Sequence, residues 1–230
     1  FRKNDILKGG QGAPLASLYH RLILRKLKFK KPSVIVNIGG ISNISYLENM
    51  NKIISFDTGP GNCLIDECIK INTKKNFDNK GMIAASGKVD KNILNKLLNN
   101  KFYKKKLPKS LDLKDFNLSE YKNLSLKDSL ATLSMLTVRS ICLAINQFNT
   151  YPKLVIISGG GRKNKFIFNN IKKLLSCPTF TIDKFNYDGD FIESQAFAYL
   201  AVRSYLKKFI TLPSTTGVKK PTSGGSIFKY

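Results

Sequence analysis

Two short runs place bare backbone where a strand should end. VIVNIGG (residues 34–40) and LVIISGGG (residues 154–161) each carry β-branched residues into glycines and then into polar residues. With no Cβ in the way, backbone N–H groups there can approach a phosphate or a nucleoside. Neither run is G-x-G-x-x-G and neither has the lysine of a P-loop, so a Rossmann dinucleotide site and a Walker-type NTPase are poorly supported. Between them lies FDTGPGN (residues 56–62), which ends a strand at Asp57 and Thr58 and turns through Gly59, Pro60 and Gly61 to Asn62 and a helix. Asp57 could hold a metal-bound water or a sugar hydroxyl. It could equally form an Asx-type turn that only caps the helix.

The elements that must position these residues follow from periodicity. PSVIVNIGG reads as a buried strand, ISNISYLE as its hairpin partner and NKIISFDTGPGN as a third strand. LASLYHRLILRKL has helical spacing, with Leu15, Leu18, Leu22 and Ile23 on one side. CLIDECIKI and VDKNILNKLLNN read as short helices. A Lys-rich stretch containing a proline, residues 101–117, precedes a long helix in SLKDSLATLSMLTVRSICLAINQF, where Leu130, Leu133, Leu136 or Thr137, and Ile141 give the period. YPKLVIISGGGRKN is a second strand-to-glycine unit, followed by helical FIFNNIKKLL. The last helix is expected over FIESQAFAYLAVRSYLKK, capped near Asp190, with the tail from Leu212 lying over the surface. No short-period repeat is present, so the pattern is one α/β domain.

The chain has 230 residues, four cysteines and a formal net charge of +24. Cys63, Cys68, Cys142 and Cys177 form no C-x-x-C pair, which signals reduced thiols filling core space and neither a zinc site nor a disulfide framework. The charge is mostly lysine scattered beside Asn and Ile, with no Arg-rich stripe interleaved with aromatics, so it argues for compositional drift and not for nucleic acid. It would still draw in an anionic substrate at low salt. There is no unbroken run of about eighteen apolar residues and the first residues lack the order of a secretory signal, so no membrane partner and a cytoplasmic location are expected.

In order and spacing, NDILKGGQGAPLASLYH, VNIGGISNISYL, FDTGPGNCLID, KDSLATLSMLT, ISGGGRKN, DGDFIESQAFAYLA and LPSTTG resemble the successive motifs of the anhydro-N-acetylmuramic acid kinase family. The resemblance runs over the whole chain, and GGQGAPL followed by FDTGPGN is its most diagnostic combination. It implies a ribonuclease-H-like ATPase domain, α/β with a mixed central sheet flanked by helices. Residues 1–230 would be mainly the second of two related domains of the sugar kinase, actin and 70-kilodalton chaperone superfamily. The implied reaction uses ATP and Mg²⁺ to phosphorylate O6 of 1,6-anhydro-N-acetylmuramic acid while water opens the anhydro ring, giving N-acetylmuramic acid 6-phosphate in the recycling of cell-wall sugar.

The resemblance also assigns roles. Asp5 falls where the family has its catalytic aspartate and would be the base that deprotonates water. Glu193, with Asp57, Asn62, Gly9 and Gly10, would face the sugar. Gly39, Gly40 and Asn43 fit a phosphate-facing turn, and Gly159, Gly160 and Gly161 the adenosine turn, with Arg162 and Asn164 nearby. His20 reads as a structural group at a helix end. The family's tendency to dimerise makes a homodimer compatible with the chain. The sequence departs from the superfamily in lacking a D-G-T-S phosphate turn, so it is expected to be a fragment, inactive alone, with its Mg²⁺ ligands unassigned. Two rival readings stand beside this one: another ATP-binding member or ordinary sugar kinase of the superfamily, and a non-catalytic basic module that holds nucleic acid.

Overall fold

The computed structural model describes residues 1–230 except 30–31, 113, 115, 117–122, 227 and 229–230. Parts of the Lys-rich stretch and of the tail therefore lie outside the described residues. Five strands form one sheet in the order β3-β2-β1-β4-β5. They are β1 (Ser33–Ile38), β2 (Ile41–Leu47), β3 (Ile53–Pro60), β4 (Leu154–Ser158) and β5 (Thr179–Thr181). The first three pair antiparallel as consecutive hairpins, and β4 and β5 add in parallel on the other side of β1. This is the mixed α/β sheet that the resemblance implies.

Alternation along the strands sends side chains to two cores. Val34, Val36 and Ile38 of β1, Ile44 and Tyr46 of β2, and Val155 and Ile157 of β4 pack into one cluster. Ile35, Leu47, Leu154 and Ile156 pack into the other. The first face is covered by α3 (Cys63–Asn72), α6 (Leu126–Asn146) and α7 (Lys165–Leu174), which contribute Ile65, Leu133 and Ile167, with α4 (Met82–Ser86) and α5 (Lys91–Leu98) adding Ala84 and Leu94 to the same core. The second is covered by α2 (Ser17–Lys26) and α8 (Ile192–Tyr205) through Ile23, Leu24 and Ile192. A sheet buried on both faces explains why its strands read as nearly continuous apolar runs.

The 21-residue helix α6 is apolar enough by length and mean hydropathy to cross a membrane, but 78% of its most apolar window is buried inside the protein. It is the core helix of the first face, capped by Ser125, whose Oγ accepts from the Asp128 N–H. All four cysteines are free thiols, with Cys68 and Cys142 buried.

The structure corrects the sequence reading at five places. Leu22 is exposed, so α2 buries Leu18, His20, Ile23 and Leu24 instead. A six-residue helix, α1 (Arg2–Leu7), precedes the glycine loop. The short strand β5 had no apolar run to announce it. Helix α8 starts after Phe191 without a side-chain cap, because Asp190 bonds Arg162 and Lys163. The tail is not draped over the surface either: it contains a one-turn helix, α9 (Pro213–Thr216), and buries Thr215, Thr216, Val218 and Thr222.

Candidate active site

Two clefts open at the carboxyl ends of the parallel strands, the first beside β1 and the second beside β4 and β5. The first, about 440 Å³, has Asn37, Asn43 and Asp57 along its polar side, with Gly39, Gly40, His20 and Glu193 around them. The second, about 710 Å³, is lined by Asn62, Phe77, Lys80, Gly160 and Lys165 among others. Both volumes fall in the range of small-molecule sites. Between them the turn after β1 and the turn after β3 are tied together. Gly61 N–H donates to Gly40 O and Asn62 N–H to Gly39 O, each at 2.8 Å. The Thr137 hydroxyl of α6 holds Gly61 O at 2.9 Å.

The glycines divide into two kinds. A Cβ on Gly61 would sit 2.3 Å from Gly39 O, and one on Gly161 would sit 2.3 Å from the Ile38 side chain. Gly159, with φ +78, would press on Asn37 and on Ile38 O. These residues are small because the protein is packed against them. Gly39, Gly40 and Gly160 are different: added Cβ atoms there would meet nothing closer than 3.5, 3.9 and 4.0 Å. Packing gives no reason for a missing side chain at these three, and all three border a cleft.

Asp57 is 5% exposed and lines the first cleft. Its Oδ2 accepts from the Leu111 N–H at 2.9 Å, and its own N–H donates to Lys109 O at 2.9 Å. The strap that supplies both partners is anchored by Lys109. The Lys109 ammonium donates to the carbonyls of Phe102 and Tyr103 and lies 4.5 Å from the Phe102 ring centre. Burial pushes the Asp57 carboxyl up to about 6, partly opposed by the Leu111 bond and by the Arg2 charge. The Asx-cap alternative fails, since α3 begins at Cys63 with no side-chain cap.

Asp5 sits elsewhere. It is fully buried in α1, with Oδ2 accepting from Gly12 N–H at 2.8 Å and Oδ1 from the Thr216 hydroxyl at 2.7 Å. It borders neither cleft. Gly10 packs on it, since a Cβ there would fall 2.1 Å from its carboxylate, and Gly9 is likewise outside both clefts. Asn62 faces the second cleft, not the first. Arg162 and Asn164 border the second cleft but are also used internally. The Arg162 guanidinium bonds Asp183, Asp190 and Gly159 O, and Asn164 caps α7 by accepting from Ile167 N–H. Gly159 and Gly161 buttress the turn without lining a cleft. Asn37 and Arg2 were not singled out from the sequence. The clue to Asn37 was an amide inside an otherwise apolar buried strand.

A mixed-sheet α/β domain whose bare backbone borders two separate clefts on either side of one glycine knot is the class that this fold and site define. Within it, the chain belongs to the anhydro-N-acetylmuramic acid kinase family, whose sequence model matches residues 1–230. A relative from Pelagibacter ubique bearing that name is 45% identical over 240 residues, covering 100% of this chain and 64% of the relative. One from Zymomonas mobilis is 38% identical over 228 residues, covering 99% of this chain and 62% of the relative. The chain thus spans less than two thirds of the length of these relatives. Among solved structures, the activator of 2-hydroxyisocaproyl-CoA dehydratase from Clostridium difficile matches with a TM-score of 0.49 at 12% identity, over 83% of this chain and 68% of that one.

Proposed function

We propose that this chain is the part of an ATP-dependent anhydro-N-acetylmuramic acid kinase that carries the anhydro sugar in the first cleft and the nucleotide in the second. Water adds at the anomeric carbon, giving up its proton as the C1–O6 bond breaks, and the freed O6 takes the γ-phosphate of ATP with release of ADP, giving N-acetylmuramic acid 6-phosphate for cell-wall sugar recycling in the cytoplasm. The observation that carries this reading is bare backbone without a packing reason in two clefts flanking one glycine knot: Gly39 and Gly40 border the first beside the buried Asp57 carboxylate, and Gly160 borders the second, while Asn62, bonded to Gly39 O, reaches it from the knot.

The base in this reading is Asp57 and not Asp5. Asp57 borders the cleft, and a carboxyl at about 6 is ionised at neutral pH yet basic enough to accept a proton from water. Asp5 borders neither cleft, and each of its oxygens accepts a hydrogen bond from the protein. Glu193, exposed in the first turn of α8, and Asn43 grip the sugar. The knot of Gly39 and Gly40 admits the phosphates, while Phe77, Lys80 and Lys165 give the second cleft an apolar face and positive charge suited to a nucleotide. Mg²⁺ would neutralise phosphate charge. No group of three or more His, Cys, Asp or Glu that could hold a metal occurs among the described residues. That fits an ion held mainly by the nucleotide's phosphates, with one or two carboxylates.

The deciding experiment assays the full-length protein with ATP and anhydro-N-acetylmuramic acid against plain amino sugars. Phosphorylation of the anhydro sugar alone supports the reading, and a preference for an ordinary amino sugar refutes it. A second test addresses the nucleotide cleft. Gly160→Leu has room to fold, because nothing meets its Cβ closer than 4.0 Å, but its side chain would occupy the second cleft. KM for ATP should rise tenfold or more while Tm moves by no more than about 2 °C.

A further inference from the structure

His20 is the sole histidine of the chain, lies in the first half of α2 and is 1% exposed. It borders the first cleft. Its Nδ1 is 2.8 Å from Ser45 Oγ, and the Ser55 hydroxyl donates to that same oxygen at 3.1 Å. Its Nε2 is buried and has no partner. A purely structural histidine is expected to satisfy both ring nitrogens when fully buried, since an unmatched one carries a desolvation cost.

The strand register shows what His20 stands beside. Ser45 pairs with Ser55, and two residues along the same face Asn43 pairs with Asn37 on one side and Asp57 on the other. The imidazole therefore occupies the row next to the three polar residues of the cleft wall. With Ser55 donating to Ser45, the Ser45 proton is available for Nδ1, the arrangement in which the ring's own proton sits on Nε2. Burial pulls the imidazole down to about 4, so the ring is neutral at physiological pH.

We propose that His20 is a specificity residue of the first cleft, whose Nε2–H, oriented by the Ser55–Ser45 chain, donates a hydrogen bond to an acceptor oxygen of the bound carbohydrate. The proposal rests on the sugar reading of that cleft. It requires no titration of the histidine, only a fixed tautomer and an acceptor that arrives with the ligand.

The test uses the full-length enzyme. An Asn amide reaches the Nδ1 position and can keep the Ser45 contact, whereas a Gln amide reaches the Nε2 position. His20→Asn should raise KM for the anhydro sugar roughly 10- to 100-fold, with KM for ATP within about twofold of wild type, and His20→Gln should recover most of the loss. Imidazole ¹⁵N NMR of the wild type, which needs no folded variant, should show the Nε2–H tautomer and a shift of that nitrogen on saturation with the sugar but not with ATP. Unchanged sugar KM in His20→Asn, an Nδ1–H tautomer, or no shift on sugar saturation would each overturn the proposal. A wild-type enzyme inert toward the anhydro sugar would instead refute the functional reading, so the two failures are told apart by which protein loses turnover.

Discussion

Asp57→Asn in the full-length protein is expected to lower kcat by about 10²- to 10⁴-fold, the usual contribution of a positioned base, while leaving Tm unchanged or raised. Two features of Asp57 combine to give that unusual pairing. The Leu111 N–H bonds one carboxylate oxygen, and an Asn carbonyl can accept the same bond. Burial, however, raises the folded carboxyl from 3.8 to about 6. Between those values the folded chain holds a proton that the unfolded chain has released, so Asp57's contribution to stability is fully present below 3.8 and lost as pH rises through about 6. At pH 7 the ionised group costs on the order of 3 kcal/mol, which a neutral amide avoids. Thermal melts of wild type and Asp57→Asn at pH 7 check the stability half.

The same carboxyl fixes the direction of the pH–rate profile. A base must be ionised, so kcat/KM should be high above pH 6 and fall about tenfold per unit below it. An acid limb set by Asp57 should vanish from the residual activity of Asp57→Asn. A limb that persists in the variant would assign the titration to another group and remove the support that burial lends to Asp57.

Much of the sheet and the glycine turns at the strand ends were legible in the sequence, because local pattern decides them; the bonds that tie Gly39 and Gly40 to Gly61 and Asn62 were not. VIVNIGG and LVIISGGG are strands buried on both faces and read as such, and the apolar period of α6 survives inspection of any one turn. The candidate site was legible less evenly. Gly39, Gly40, Asn43 and Glu193 border the first cleft and Gly160 the second, whereas the motif resemblance names Asp5 as the base, and residue type alone does not separate Asp5 from Asp57. Both are aspartates near glycines. What distinguishes them is contact over long sequence separation: Asp5 meets Thr216 across 211 positions, and Asp57 meets Leu111 across 54. The tail containing Thr216 reads as polar and turn-rich, so its burial could be found only once α1 and the glycine loop were seen to leave a carboxylate requiring donors. Leu22 failed for a related reason. An apolar residue in a helical period marks a face only when the neighbouring element lies on that side.

Asp5→Ala should be the most damaging single change to stability among the groups considered. The carboxylate gathers three segments: α1 by its own backbone, the glycine loop through Gly12 N–H, and α9 through the Thr216 hydroxyl. Gln11 N–H donating to Thr216 O at 2.8 Å closes the same junction from the other side. Removing the side chain leaves two buried donors without an acceptor, and hydrogen bonds to charged groups contribute about 1.5–3 kcal/mol each. A loss of roughly 3 kcal/mol or more follows, which for a domain of this size lowers Tm by about 6–12 °C. Asp5→Asn should lose less, since its amide can accept from Gly12 and donate to Thr216. Below the melting range, folded Asp5→Asn should keep kcat within about tenfold of wild type, because the group reaches neither cleft. The opposite pattern, an unshifted Tm with turnover lost as completely as in Asp57→Asn, would return the role of base to Asp5 and show that the closed junction opens when substrate binds.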